Sequence, residues 1–270
     1  MTEEDIAFDA IKRRIFEVRG LDTRQYKDSY IKRRLAVRMR ANSVETYMDY
    51  LQVLKKNLDE FNPLMDSLTI NVTEFFRNPE TYKAVEGFLR DITVEKKNRG
   101  RNLIRIWSAG CSSGEEPYSI AILLSEILGD ELKDYNITIY ATDIDPIILG
   151  KAKAGVYKLE NLKNVSEARI YRYFKKKEEE YIIRDEIKRM IRFSKLDLIA
   201  DKKSKSFDMI LCRNVVIYFS RELQERLYMD FYNSLNHNGY FVMGKTETLV
   251  GESMNRFKSV NKSERIYQKL

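Results

Sequence analysis

Residues 104–124 read IRIWSAGCSSGEEPYSIAILL: an apolar run, a loop of small residues with glycines at 110 and 114, and an amphipathic stretch that opens on two glutamates. A strand, a tight loop and a helix in that order begin an α/β nucleotide-binding unit, because the loop N–H groups and the helix N-terminus converge on one point. That point usually attracts a phosphate. Here Glu115 and Glu116 would set negative charge where the phosphate belongs. The plain alternative is that two acids in a first turn merely complement the helix dipole.

Outward from that stretch, apolar runs alternate with helix-length segments: NLIRIWSAG, ITIYATD, RFSKLDL, FDMILCRN and YFVMGKTE. This alternation predicts a doubly wound, mostly parallel α/β sheet of Rossmann-like form. Ligands of such sheets bind at the carboxyl ends of the strands, near the topological switch point. Gly110 and Glu116 follow the first strand, Asp143 the second, Asp197-Leu198 the third and Arg213-Asn214 the fourth. Asp143 stands 27 residues beyond Glu116, where an acid accepts from ribose hydroxyls. Asp197-Leu198 suits an adenine amino group and ring. A pyrophosphate would be repelled by the glutamates, whereas S-adenosylmethionine carries a sulfonium and an ammonium beyond the same adenosine. The carboxylates at successive strand ends favour that methyl donor over a dinucleotide.

The first 70 residues differ in style. Apolar residues recur at three- and four-residue steps in IAFDAIKRRIFEVRG, YKDSYIKRRLAVRMRA, SVETYMDYLQVLKKN and LDEFNPLMDSLTI, which predicts four helices. We expect a helical domain over 1–72 and a methyltransferase domain over 73–270. Between Asp143 and Asp197, the stretches ARIYRYFKK, EYIIRDE and KRMIRFS alternate well enough to suggest an inserted antiparallel β-subdomain at about 165–194. KKKEEE at 175–180 reads as a solvated turn.

Composition narrows the function classes. Lys and Arg total 48 against 41 acids, a net charge of +7, which fits RNA, a membrane surface or an acidic protein partner. Two cysteines and one histidine exclude a disulfide framework and speak against a Cys/His metal site, so no metal is expected. Cys111 and Cys212 read as small buried fillers, Trp107 as core, and His237 as turn chemistry. The start MTEEDIAF lacks a signal peptide's basic and apolar regions, and no apolar run nears the roughly 20 residues of a membrane span. A cytoplasmic protein without membrane insertion is expected.

At this point five strings resemble the chemotaxis receptor methyltransferases, the CheR family, which esterify glutamate side chains of bacterial chemoreceptors. They are NVTEFFRNP at 71–79, WSAGCSSGEEPYSIA at 107–121, ATDID at 141–145, AGVYK at 154–158 and CRNVVIYF at 212–219. The resemblance covers nearly the whole chain. It implies S-adenosylmethionine as cofactor, S-adenosylhomocysteine as product and cytoplasmic receptor helices as partner, with a monomeric enzyme expected. Asn71, Thr73 and Arg77 would close over the cofactor, and Glu116, Asp143, Asp197, Leu198, Arg213 and Asn214 would contact it. Where the family often has Asn-Leu, this chain has Asp197-Leu198.

The chemistry stands independently. A glutamate carboxylate is already ionised at neutral pH and needs no general base. It must be stripped of water and held in line, and such orientation is worth roughly 7–11 kcal/mol in favourable cases. A guanidinium and a phenol suit that task, which makes Arg77 and Tyr218 the catalytic candidates. Lys27, Arg34 and Arg38 lie at i, i+7 and i+11 in a basic helix, and the resemblance implies that this helix docks glutamate-rich receptor helices. Relatives that also tether a receptor's C-terminal pentapeptide as an added strand carry a glycine-containing extension in the β-subdomain turn. KKKEEE has none, so independence of that tether is expected. Two other classes stay open. A nucleic-acid methyltransferase fits the charge but lacks an Asn-Pro-Pro-aromatic motif, and the intact set of Arg77, Glu116, Asp143 and Tyr218 argues against a non-catalytic S-adenosylmethionine-binding module.

Overall fold

The computed structural model describes residues 2–69 and 73–270. By packing, the chain divides into two units: 1–71 together with 218–223, and 72–217 together with 224–270.

The first unit contains α1 (Glu3–Arg19), α2 (Asp28–Ala41), α3 (Tyr47–Lys56) and α4 (Phe61–Leu68). Thr2 and Asp5 form a reciprocal cap at the start of α1, and Gly20 ends it at φ 72, a left-handed conformation that a side chain would disfavour. Phe8, Ile11 and Ile15 recur at three- and four-residue steps, and all are buried. Burial of each such side chain is worth roughly 1.5–3 kcal/mol. The stripes Tyr30, Ile31, Leu35, Met39 of α2 and Phe61, Leu64, Leu68 of α4 close the same core. The segment 218–223 joins this unit through Tyr26 and Phe219, whose rings meet edge to face at 4.9 Å.

The second unit opens with α5 (Pro79–Asn98), β1 (Leu103–Ala109), α6 (Glu115–Leu128), β2 (Asn136–Asp143) and α7 (Pro146–Ala154). It continues through β3 (Val156–Lys158), α8 (Glu167–Tyr173), β4 (Phe174–Lys177), β5 (Glu180–Ile183), α9 (Asp185–Lys188) and β6 (Ile191–Lys195). It closes with β7 (Phe207–Cys212), α10 (Arg221–Ser234), β8 (Leu235–Met243), α11 (Ser253–Arg256), β9 (Phe257–Asn261) and β10 (Ile266–Lys269).

Seven strands form one sheet in the order β6-β2-β1-β7-β8-β10-β9. The first five are parallel, and β10 and β9 return antiparallel at the edge. The chain winds outward from β1 through β2 to β6, then restarts beside β1 with β7. The switch point therefore lies between β1 and β7, and the loops after these strands are where a ligand belongs. Every residue of β7 is buried, including Asp208. Its carboxylate is matched by Lys96 at 2.8 Å, the Arg105 N–H at 2.9 Å and Asn236 at 2.8 Å, as a buried charge requires. Trp107 fills the core and donates its indole N–H to Thr142 at 2.9 Å.

The small antiparallel sheet exists, in the order β3-β5-β4, but not with the three strands expected. ARIYRY is helix α8, because Ile170, Tyr173 and Phe174 sit at helical spacing behind the Ser166 cap. KRMIRFS enters the large sheet as β6, parallel to β2, and the third strand of the small sheet is β3. Short alternating runs do not say which sheet they will join. His237 also differs from expectation, lying exposed near the amino end of β8 rather than in a turn.

Candidate active site

The loop after β1 is bent by two glycines for separate reasons. Gly110, at φ 77, passes so close to the loop after β7 that a Cβ would stand 2.5 Å from a Val215 methyl. Gly114, at φ 96, would place a Cβ 3.1 Å from both the Tyr157 hydroxyl and Ala152. Between them the chain is tied to the end of β2. Gly110 and Cys111 N–H groups donate to the Thr142 carbonyl at 2.8 and 2.9 Å. The Ser112 N–H donates to Asp143 at 2.8 Å, and the Asp145 N–H donates to its other oxygen at 3.0 Å. Burial pushes the Asp143 carboxyl above its usual range, against the pull of these amides.

The two glutamates that open α6 have different work. Glu115 is 1% exposed and holds the loop, accepting from the Ser113 hydroxyl at 2.7 Å and from Asn161 at 3.4 Å. Glu116 is half-buried and faces the strand ends. It accepts from the Ser108 hydroxyl at 2.8 Å and has Arg213 only at 3.5 Å. Burial raises its pKa, while Arg213, Ser108 and the charge of Arg77 pull it down. Glu116 is thus a desolvated carboxylate, incompletely partnered, at the mouth of the switch point. That donor set fits an ammonium or sulfonium and is wrong for a phosphate.

Arg213 reaches further than a strand-end contact. Its guanidinium donates to the Arg77 carbonyl at 2.8 Å and to the Asn78 side-chain oxygen at 2.9 Å. The turn it grips is strained, with Phe76 at φ 52 and Asn78 at φ 65. Around it, Phe75 packs edge to face on Tyr157 and Phe174, and the Phe76 N–H donates to Ser119 at 3.0 Å. Thr73 is half-buried just before this turn, and Asn71 lies outside the described residues. Asn214 occupies a left-handed position, φ 61, with its N–H and side-chain nitrogen each 2.9 Å from where a Cβ on Gly244 would be.

Asp197 and Leu198 follow β6, which pairs with β2 up to Asp143. Leu198 is buried, whereas the Asp197 carboxylate turns to the Ile199 N–H at 2.7 Å. The side chain is thereby engaged in its own loop, although one oxygen keeps capacity to accept. Two groups were not singled out from the sequence. Ser108, the last polar residue before the loop, is the nearest partner of Glu116. Glu247, beyond the fifth strand, is 2% exposed and accepts from the Gly244 N–H at 2.5 Å. Burial raises its pKa, and the N–H groups of Gly244, Asn214 and Val215 lower it, so it anchors the loop after β7. The acid in GKTE was the available signal.

With this geometry in place, two family models match. Residues 71–266 match the CheR methyltransferase, SAM binding domain, and residues 6–69 match the CheR methyltransferase, all-alpha domain. The chain belongs to the CheR methyltransferase family. Curated relatives agree: this CheR chain is similar to the chemotaxis protein methyltransferase of Listeria monocytogenes, 36% identical over 234 residues and 86% of each chain. It is also similar to that of Salmonella typhimurium, 33% identical over 251 residues, covering 90% of this chain and 84% of the relative. A third, from Borreliella burgdorferi, is 32% identical over 238 residues, covering 86% and 84%. The CheR chain is therefore a methyltransferase that uses S-adenosylmethionine, and its fold is the one the sequence led us to expect.

In the helical unit the three basic docking candidates separate. Arg38 differs from the other two: its guanidinium makes two 2.9 Å bonds to Glu60, a carboxylate 5% exposed that also accepts from the Tyr50 hydroxyl at 2.8 Å. Facing inward, it is committed to the domain's own core. Lys27 caps α2 and is exposed. Arg34 is half-buried, its guanidinium 5.4 Å from the Tyr30 ring centre. Tyr218 lies in this unit, its ring 4.5 Å from Tyr30 and its carbonyl accepting from the Lys27 N–H at 2.9 Å. Among the described residues there is no helix long and apolar enough to cross a membrane and no cluster of three or more His, Cys, Asp or Glu placed to hold a metal ion.

Proposed function

We propose that this CheR-family enzyme methylates glutamate side-chain carboxylates on the cytoplasmic helices of chemoreceptors, giving the methyl esters of chemotactic adaptation. The observation that carries the reading is Glu116, a half-buried and under-partnered carboxylate at the switch point, with Arg77 close enough to lower its pKa. When bound, S-adenosylmethionine supplies an electrophilic methyl group on a cationic sulfur. Glu116 attracts and orients that cationic end, and Asp143 accepts from the ribose. Arg77 holds the acceptor carboxylate and screens it from Glu116, whose like charge would otherwise repel it. The Tyr218 hydroxyl is the second group assigned to the acceptor. The acceptor is ionised already, so no base is required. The single histidine, near the amino end of β8, stands at the opposite end of the sheet from the loop.

Receptor docking falls to α2, with Lys27 and Arg34 as its basic contacts. The enzyme acts as a cytoplasmic monomer that does not need a pentapeptide tether. Support for the last point comes from the β4–β5 hairpin, whose turn is two residues, Glu178-Glu179, without glycine. Micromolar binding of a receptor tail peptide containing Trp and Phe would overturn it. The activity itself is tested by incubating the enzyme with tritiated donor and either chemoreceptor fragments or nucleic acid. Volatile, base-labile methanol from the receptor fragment is the expected product. Base-stable label in nucleic acid, or no transfer despite donor binding, would sink the assignment.

A further inference from the structure

The chain leaves the second unit between Ile217 and Tyr218 and returns to it after Leu223, so Tyr218 packs with the helical unit. It is met there by backbone and by ring. The Lys27 N–H donates to the Tyr218 carbonyl and the Ser220 N–H to the Gln25 carbonyl, each at 2.9 Å. Between these bonds Tyr26 and Phe219 form an antiparallel bridge. Two short stretches thus pair as a miniature ladder, one leading into α2 and the other leaving the loop after β7. On the side-chain side, the Tyr30 ring lies 4.5 Å from the Tyr218 ring and 6.1 Å from that of Tyr26.

Tyr30 is the third residue of α2 and is 4% exposed. Its hydroxyl donates to the carbonyl of Leu68, the last residue of α4. A buried phenol with a partner at the hydroxyl and another against the ring is fixed at both ends. One turn further along α2, the Arg34 guanidinium stands 5.4 Å from the same ring centre, within cation–π range. Tyr30 therefore touches a docking candidate, Arg34, and an acceptor candidate, Tyr218.

We infer that Tyr30 is a positioning residue, whose ring sets the direction in which the Tyr218 phenol meets the acceptor carboxylate. This rests on the reading in which Tyr218 meets the acceptor and α2 docks it. The ladder sets where the Tyr218 main chain runs, and the ring contact bears on where its side chain points. Because Lys27, Tyr30 and Arg34 share one helix, the surface that docks the acceptor and the hydroxyl that receives it belong to one packed unit. A hydroxyl offered to a carboxylate has to be aimed, and a misplacement of about 1 Å can lower turnover roughly 100-fold. The competing role is that of a core ring that only closes α2 on α4. Such a ring would affect stability without regard to the Tyr218 hydroxyl.

Three readouts on the full chain separate the roles: turnover of a chemoreceptor fragment, calorimetry with S-adenosylhomocysteine, and the ring signals of isotope-labelled tyrosine in ligand-free protein. Tyr30→Leu should lower kcat about tenfold, with the fragment's KM and the product Kd changed by less than about twofold. Tyr30→Met, unbranched and adaptable, makes the same comparison where Leu does not fold. Tyr30→Phe keeps the ring, loses the bond to Leu68, and should recover most of the turnover. In a Tyr218→Phe background, truncating Tyr30 should cost almost nothing further, since the hydroxyl to be aimed is gone. The Tyr218 ring signal, identified by its loss in Tyr218→Phe, should move in the truncations and hold in Tyr30→Phe. The role is overturned if the two losses multiply in the double variant, if Tyr30→Phe is as slow as Tyr30→Leu, or if the Tyr218 signal ignores the truncation. A Tyr218→Phe enzyme as fast as wild type would instead overturn the assignment of Tyr218 to the acceptor, and this role with it.

Discussion

Glu60 in the helical unit and Glu116 in the sheet unit are the same kind of pair, a sequestered carboxylate with an arginine. Their surroundings are opposite. Glu60 has two 2.9 Å bonds from Arg38 and a 2.8 Å bond from Tyr50, and these pull its pKa below the ordinary value despite burial. Glu116 has one hydroxyl at 2.8 Å and an arginine at 3.5 Å, and burial keeps its pKa above the ordinary value. A fully satisfied buried pair specifies a structure. An incompletely satisfied one, with a second arginine within electrostatic reach, is prepared for a ligand that completes it. Three-dimensional saturation, rather than residue type, distinguishes the two pairs.

The comparison can be pressed in several ways. The largest effect is expected at Arg77: replacement by Ala should lower turnover about 100-fold or more while S-adenosylhomocysteine affinity, measured by calorimetry, changes far less. A collapse of affinity with turnover preserved would move Arg77 to the donor side. Glu60→Gln should then destabilise the protein by about 3 kcal/mol in denaturant unfolding, since it strands Arg38, and leave product affinity alone. Glu116→Gln should do the reverse, weakening product binding roughly 10- to 100-fold with stability equal or raised. If the two variants behave alike, the distinction between the pairs fails.

Acid titration sharpens the same contrast with opposite signs. The pKa of Glu60 is lowered, so its stabilisation is present above the ordinary value of 4.5 and disappears as pH falls through its folded value. The pKa of Glu116 is raised, so its contribution to stability is full below 4.5 and is lost as pH rises through the folded value. Pairing with the ammonium group that donor and product share, however, requires the ionised form of Glu116. Product affinity should therefore weaken as pH falls toward 4.5 from above, and Glu116→Gln should remove that dependence. Persistence of the slope in the variant would assign it to Asp143, whose pKa is also raised by burial. The smallest effect is expected on the surface: Arg34→Glu should weaken capture of an acidic receptor helix only severalfold, and less in salt, as befits a half-exposed charge. Arg38→Glu should instead unfold the helical unit, because it sets two carboxylates face to face.

Much of this was legible in the chain. The strand-loop-helix run at 104–124 announced the sheet, and the acids placed after β1 and β2 announced a ligand that is not a phosphate. Both inferences rest on local facts: side-chain periodicity, glycine where backbones cross, and residues that immediately follow a strand. The inserted segment was harder, because stretches of four to seven residues satisfy both periods. There, tertiary partners chose helix for ARIYRY and the large sheet for KRMIRFS.

What the sequence by itself determined is the order of elements, the carboxyl-end loops and the candidate acids, since each follows from neighbours along the chain. Only the tertiary structure decided that Glu115 braces the loop while Glu116 faces the site, that Arg38 serves the core and that Arg213 grips the 77–78 turn. Those outcomes depend on partners 22, 97 and 136 residues away. The physical reason is that a charged side chain's role is set by how completely its hydrogen bonds are filled. The groups that fill them come together only when the chain has folded.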